Sequence, residues 1–169
     1  VSSPNRIRLV VDDSAATYPI VIDPLLTNFQ DALIQSNQVQ SALGTQVAIV
    51  PDLNGDGFDD LVAGAPGHPG GGAAFVFYGG AGGVGNGDPG NADVVLQSNQ
   101  AGAGFGVSVA SAGDVNGDGF GDLIVGAENY DLPEIDEGAA FLFLGSATGL
   151  IGTGPASAHA RLAGNQAAA

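Results

Sequence analysis

Apolar positions along the chain fall in short runs, each closed off by Gly, Asp, Asn, Ser or Pro, and such runs predict short buried strands joined by tight turns. Arg6-Ile7-Arg8-Leu9-Val10-Val11 and Thr17-Tyr18-Pro19-Ile20-Val21-Ile22 flank Asp12-Asp13-Ser14-Ala15 and predict a hairpin over 6–26. Pro19 removes a ladder donor from the second arm, which places that arm at a sheet edge or a bulge. Asn28 to Leu43 has tolerable helical spacing at Phe29, Leu33 and Ile34, but an internal repeat overrules it. Gln35-Ser36-Asn37-Gln38 returns 62 residues later as Gln97-Ser98-Asn99-Gln100, so Leu33-Ile34 aligns with Val95-Leu96 and both are expected to be strands.

The same offset of 62 relates Leu61-Val62-Ala63-Gly64-Ala65 to Leu123-Ile124-Val125-Gly126-Ala127, and before them Gln46-Val47-Ala48-Ile49-Val50 and Val107-Ser108-Val109-Ala110 are the corresponding strand runs. Ala73 to Gly79 then matches Ala139 to Gly145 at an offset of 66, because the acidic stretch Glu128 to Glu137 is four residues longer than its twin. An insertion of that kind belongs in a loop. Val94-Val95-Leu96-Gln97 and Ala158 to Ala163 supply a fourth strand to each unit, and Leu162 to Gln166 starts to resemble the next repeat. Four short strands per period of roughly 62 residues are the mark of a propeller blade or a similar repeated sheet. The expected organisation is an N-terminal β-hairpin segment over 1–31, a first blade over 32–104, and a second blade over 105–169 that includes the start of a further strand. The fold class is therefore all-β, with two four-stranded β-propeller-like blades plus an N-terminal partial blade.

Composition sharpens this. Glycine contributes 29 of 169 residues without a three-residue period, which fits many turns and excludes collagen. The formal charge is −15 with three Lys plus Arg in all, so nucleic acid and anionic membrane are unsuitable partners and cations are suitable ones. No apolar run approaches the roughly 20 residues needed to cross a bilayer as a helix. The chain opens at Val1 with neither Met nor a signal-peptide pattern, and is expected to be processed or trimmed. Cys is absent, so disulfides argue for no compartment.

The chemistry sits between the first two strands of each unit. Asp52-Leu53-Asn54-Gly55-Asp56-Gly57-Phe58-Asp59-Asp60 and Asp114-Val115-Asn116-Gly117-Asp118-Gly119-Phe120-Gly121-Asp122 both set oxygen side chains at positions 1, 3, 5 and 9. Ca²⁺ takes six to eight oxygen ligands, and a wound loop of alternating Asp and Asn can point them at one centre. Glycines at positions 4 and 6 allow the positive φ this winding needs. Position 7, Phe58 or Phe120, would add its carbonyl while its ring faces the core. Carboxylates gathered this way repel one another without a cation, so the loop is expected to be poorly ordered in metal-free buffer. Plain Asx turns use the same vocabulary, but four ligand positions in register twice over favour the cation. An EF-hand is excluded, because position 12 is Ala63 or Val125 in place of a bidentate Glu, and a strand run follows in place of a helix.

Phe105-Gly106, the nine-residue Asp loops and Gly126-Ala127 together resemble the FG-GAP repeat of the integrin alpha-subunit propeller and its bacterial secreted relatives. Each copy departs once: Leu43 replaces the Phe of the first, and Glu128 replaces the Pro that the first keeps as Pro66. The likeness covers about residues 32 to 166, and Tyr18 to Pro24 also resembles the stretch that precedes such repeats in bacterial proteins. It implies a β-propeller with Ca²⁺ in both loops. One ion falls to Asp52, Asn54, Asp56, the Phe58 carbonyl and Asp60, and the other to Asp114, Asn116, Asp118, the Phe120 carbonyl and Asp122. Propellers of the family have about seven blades, and any closed propeller has at least about four. Two blades leave apolar faces and strand edges that something must cover. The cover is expected to come from the remaining blades of a longer chain, or from further copies stacked head to tail into a ring or filament.

Other candidates carry less. His68 and His159 have no acid or nucleophile at a recognisable spacing and read as solvated. Glu128, Asp131, Glu134, Asp136 and Glu137 read as a solvated acidic loop, Gly82-Gly83-Val84-Gly85 as a flexible turn, and Phe75, Phe77, Phe141 and Phe143 as core at strand period. The functional expectation is a non-catalytic, calcium-binding extracellular module of adhesion, scaffolding or assembly. The alternative is a fragment or accessory propeller domain of a larger secreted enzyme or surface protein. Asp-rich calcium sites favour an extracellular or cell-surface location, where calcium is plentiful.

Overall fold

The computed structural model describes residues 32–132 and 135–163; the hairpin expected over 6–26, Glu134 of the acidic run and the segment after Ala163 lie outside the described residues. Among the described residues eight strands form two sheets of four. The first sheet contains β1 (Val47–Pro51), β2 (Asp59–Ala65), β3 (Ala73–Phe77) and β4 (Val94–Gln97). The second contains β5 (Phe105–Gly113), β6 (Asp122–Ala127), β7 (Ala139–Phe143) and β8 (Ala160–Ala163). Within each sheet the strands stand side by side in chain order, all antiparallel, as an up-and-down meander. A 3₁₀ turn at Pro155–Ser157 is the one helical element among the described residues. The architecture is all-β and blade-like, as the strand spacing predicts.

Both faces of the first sheet are apolar, which is why its strands read as continuous hydrophobic runs with no polar alternation. Directly opposed residues share a face, so Ala48, Val62, Val76 and Val94 form one row and Gly64, Ala74 and Leu96 the next. This face meets Phe105, Val109, Leu123, Val125, Phe141 and Phe143 of the second sheet in one core. Phe105 sits at its centre, with ring centroids 5.7 Å from Phe141 and 6.4 Å from Phe143. The opposite face of the first sheet carries Ala63, Ala65, Phe75 and Phe77 into a second core, closed by Ile34, Leu43, Val84 and Ala92.

The two sheets approach backbone to backbone at the joint. Phe105 N–H donates to Gly71 O at 3.0 Å, Gly121 N–H to Asp52 O at 3.2 Å and Ser146 N–H to Leu53 O at 3.1 Å. A Cβ on Gly121 would lie 1.8 Å from Pro51 O, so this position has no room for a side chain. The equivalent residue of the first loop is Asp59, which is exposed.

Leu33-Ile34 is not a strand. Ile34 makes a single isolated parallel bridge to Gly87, with Gln35 N–H donating to Gly87 O and Gly87 N–H to Leu33 O, both at 3.0 Å. The repeat explains the difference. Leu96, the counterpart of Ile34, is held in β4 by pairing with β3 of its own sheet, and no earlier sheet stands beside Ile34 among the described residues. One of its two bonds is repeated: Gln97 N–H donates to Thr153 O at 2.7 Å one unit later, while Thr153 N–H turns to Ser157 Oγ.

Candidate metal centres

The two Asp-rich loops connect β1 to β2 and β5 to β6. Gly55 and Gly57 adopt φ of 79° and 87°, and Gly117 and Gly119 adopt 76° and 93°, the left-handed backbone their positions demand. The middle of each loop is the same. Asn54 Oδ1 accepts from Asp56 N–H at 3.1 Å and Asp56 Oδ1 from Phe58 N–H at 2.9 Å. Asn116 Oδ1 accepts from Asp118 N–H at 3.1 Å and Asp118 Oδ1 from Phe120 N–H at 3.0 Å. Asn54 Nδ2 donates to Asp56 Oδ2 at 3.0 Å, and Asn116 Nδ2 to Asp118 Oδ2 at 2.8 Å.

The last carboxylate of each loop ties the loop to the sheet. Buried Asp60 accepts from Leu53 N–H at 2.7 Å through one oxygen and from Gly79 N–H at 2.8 Å through the other. Buried Asp122 accepts in the same way from Val115 N–H at 2.7 Å and Gly145 N–H at 3.0 Å. Each carboxylate oxygen keeps a second lone pair after these bonds. Burial pushes the Asp60 carboxyl above the ordinary aspartate range; the Gly79 and Leu53 amides offset part of this, and the charges of Asp56 and Asp52 add to it.

The first carboxylates differ. Asp114 folds over its own loop, with Oδ1 accepting from Gly117 and Asp118 N–H at 2.7 and 3.1 Å and Oδ2 from Gly119 N–H at 2.9 Å. Those amides, Gly119 foremost, hold its carboxyl below the ordinary range. Asp52 instead adopts φ 39°, and its Oδ1 is buried with no hydrogen-bond partner among the described residues. A buried, unpartnered carboxylate oxygen is one that a hard cation could satisfy. The first loop thus has one carboxylate oxygen left to satisfy, while its carboxylates are not gathered around one centre. In the second loop Asp114 Oδ1 is filled by two amides and Oδ2 by one, which leaves Oδ2 a single free lone pair. Among the described residues no three carboxylate or imidazole side chains converge on one point.

Phe58 corrects an expectation: its ring is 41% exposed and does not face the core. Its counterpart explains why. The Phe120 ring lies against the other blade, so close to Gly55 that a Cβ there would fall 2.6 Å from it. This aromatic covers the loop of the preceding blade, and Phe58 has none to cover among the described residues. Gly79 and Gly145, which anchor Asp60 and Asp122, were not singled out from the sequence. The available signal was a glycine at matched positions just after β3 and β7, where a Cβ would meet Asp59 O at 2.1 Å or Gly121 O at 2.2 Å.

Sheets of four antiparallel strands, each with an Asp-lined loop between its first two strands and stacked face to face, define a protein of repeated propeller-type blades. Residues 43–77 and 105–143, one stretch in each sheet, match the FG-GAP repeat. Integrin alpha-3 of Cricetulus griseus is 36% identical over 124 residues, covering 70% of this chain and 11% of its own length. Integrin alpha-6 of Homo sapiens is 36% identical over 115 residues, covering 65% and 9%. Integrin alpha-PS5 of Drosophila melanogaster is 40% identical over 111 residues, covering 60% and 10%. The chain thus spans about a tenth of the length of the curated relatives it matches.

Proposed function

We propose that the chain is a non-catalytic, calcium-stabilised extracellular module of adhesion or scaffolding, whose outermost blade is completed by another blade. That blade comes from a further copy in a ring or filament, or from the rest of a longer chain. One observation carries the reading: equivalent residues of the two sheets differ in burial. Leu96 is 0% exposed under the second sheet, whereas Leu162, its equivalent in the outer face of that sheet, is 57% exposed. The rest of that face, Ala110, Ile124, Ala140, Leu142 and Ala160, is apolar and only partly covered. In the first sheet the matching row is sealed by Phe105, Val109 and their neighbours. The matching surface of the first sheet, Leu43, Ala63, Phe75 and Phe77, is already buried in its own core, so the sealing blade is one whose corresponding face is open.

Ca²⁺ would be held by Asp52, Asn54, Asp56 and Asp60, and by Asp114, Asn116, Asp118 and Asp122, with the Phe58 and Phe120 carbonyls. It would neutralise crowded carboxylates and fix each loop against the neighbouring blade. The unpartnered Asp52 Oδ1 supports this for the first loop. Sedimentation of the chain with calcium and with chelator tests the association, and Leu162→Asp is the matched variant. Calcium-dependent oligomers that Leu162→Asp dissolves support the reading. A well-folded monomer under both conditions removes self-assembly, and calcium titration by calorimetry separately tests the loops.

A further inference from the structure

Asn followed by Gly occurs three times in the described chain, at Asn54-Gly55, Asn86-Gly87 and Asn116-Gly117. In this dipeptide the backbone nitrogen of Gly can attack the side-chain amide carbon of Asn, because no side chain blocks the approach. The nitrogen loses its proton to solvent as the new C–N bond forms, and the side-chain nitrogen leaves as ammonia. Water then opens the cyclic imide at one carbonyl or the other, giving aspartate or isoaspartate. No oxidant and no co-reactant other than water is needed.

The rate turns on whether the attacking N–H is free, because a hydrogen bond to an acceptor, above all an anionic one, holds the proton on the nitrogen. Gly117 N–H donates to the Asp114 carboxylate at 2.7 Å, and Gly87 N–H donates to Leu33 O at 3.0 Å. Gly55 N–H has no acceptor among the described residues. The carbon under attack is equally prepared in the two loops, since Asn54 Oδ1 and Asn116 Oδ1 each accept one N–H at 3.1 Å. The loops differ at the nucleophile, and the cause is the turn at Asp52; they differ too in exposure, Asn54 being half-buried with the Phe120 ring over Gly55 and Asn116 exposed. Its φ of 39° accompanies a carboxylate that does not reach the Gly55 amide, whereas Asp114 caps the amides of its own loop.

We infer that Asn54 is a site of spontaneous deamidation, converted ahead of Asn86 and Asn116. Aspartate at this position would put a further negative charge between Asp52 and Asp56. Isoaspartate would also lengthen the main chain by one methylene and break the Asn54–Asp56 side-chain bond. The inference does not depend on the cation-binding reading, because it concerns the loop without metal.

The test is incubation of the chelator-treated chain in mildly alkaline buffer, followed by peptide mapping for the gain of about one mass unit that accompanies loss of ammonia and uptake of water. Asn54 is expected to convert several-fold faster than Asn116 and Asn86 in the folded chain, and the three rates are expected to converge in urea. Asp114→Asn weakens the acceptor on Gly117 and is expected to raise the Asn116 rate toward that of Asn54. Conversion of Asn116 or Asn86 as fast as Asn54 in the native chain would overturn the inference. So would the same ranking persisting in urea, since local sequence and not the fold would then set the order.

Discussion

Asp52 and Asp114 occupy the same position of the repeat yet are held differently, and the difference is open to measurement through pH. Three loop amides bind the Asp114 carboxylate and hold its carboxyl below the usual 3.8. A depressed acid contributes stability that is fully present above its unfolded pKa and lost as pH falls through its folded value. In chelator, the natural chain is therefore expected to resist urea better than Asp114→Asn at neutral pH, the two converging on acidification. An unchanging gap across that range would mean that the charge of the cap is irrelevant. Asp60 has the opposite sign, because its raised carboxyl costs stability as pH rises through the folded value. Its hydrogen bonds are a separate matter. Asp60→Ala strands the N–H groups of Leu53 and Gly79, each worth about 1–3 kcal/mol when a buried donor is left unpaired. Urea unfolding in chelator measures that loss apart from any effect on calcium. None of these contrasts was legible in the sequence, where the two loops read alike. The alternation of Asp and Asn gives the residue types, while backbone torsion at one position decides which oxygens find partners.

At the level of strands, the repeat was readable because blade strands buried on both faces carry a dense apolar signal. Val94–Gln97 forms where the pattern put it, and β3 and β7 begin at the expected Ala73 and Ala139. Leu33-Ile34 misled for a physical reason: a strand needs a partner, and identical local sequence cannot supply one. The joint was equally hidden. Asp59 and Gly121 look like an unremarkable difference at a variable loop position until Pro51 O is found against the Gly121 Cα. Gly121→Ala is expected to force the sheets apart, at a cost of about 1–3 kcal/mol typical of overpacking. Gly80→Ala, where a Cβ meets nothing, is expected to leave thermal unfolding unchanged. Equal effects of the two would place the close approach elsewhere. Phe105→Ala removes the ring shared with Phe141 and Phe143 and is expected to cost about 3–5 kcal/mol.

At the largest scale, the described residues form two units of one repeat, with each sheet presenting two unlike apolar faces. Counting blades in the sequence gave the expectation that cover must come from elsewhere, but not which face it would cover. That needed the register, since a shift of one residue exchanges the faces of a strand. The operation that carries the first sheet onto the second is fixed by the Phe105–Gly71 and Gly121–Asp52 bonds, and the repeated Gln35–Gly87 and Gln97–Thr153 contacts carry the same spacing one unit back. Were further blades added through the same contacts, that operation would be the repeated step. If the step is a pure turn, successive units meet after a whole circle and growth stops at a disc. If it carries any rise along the axis, the same contacts wind into a spiral of indefinite length.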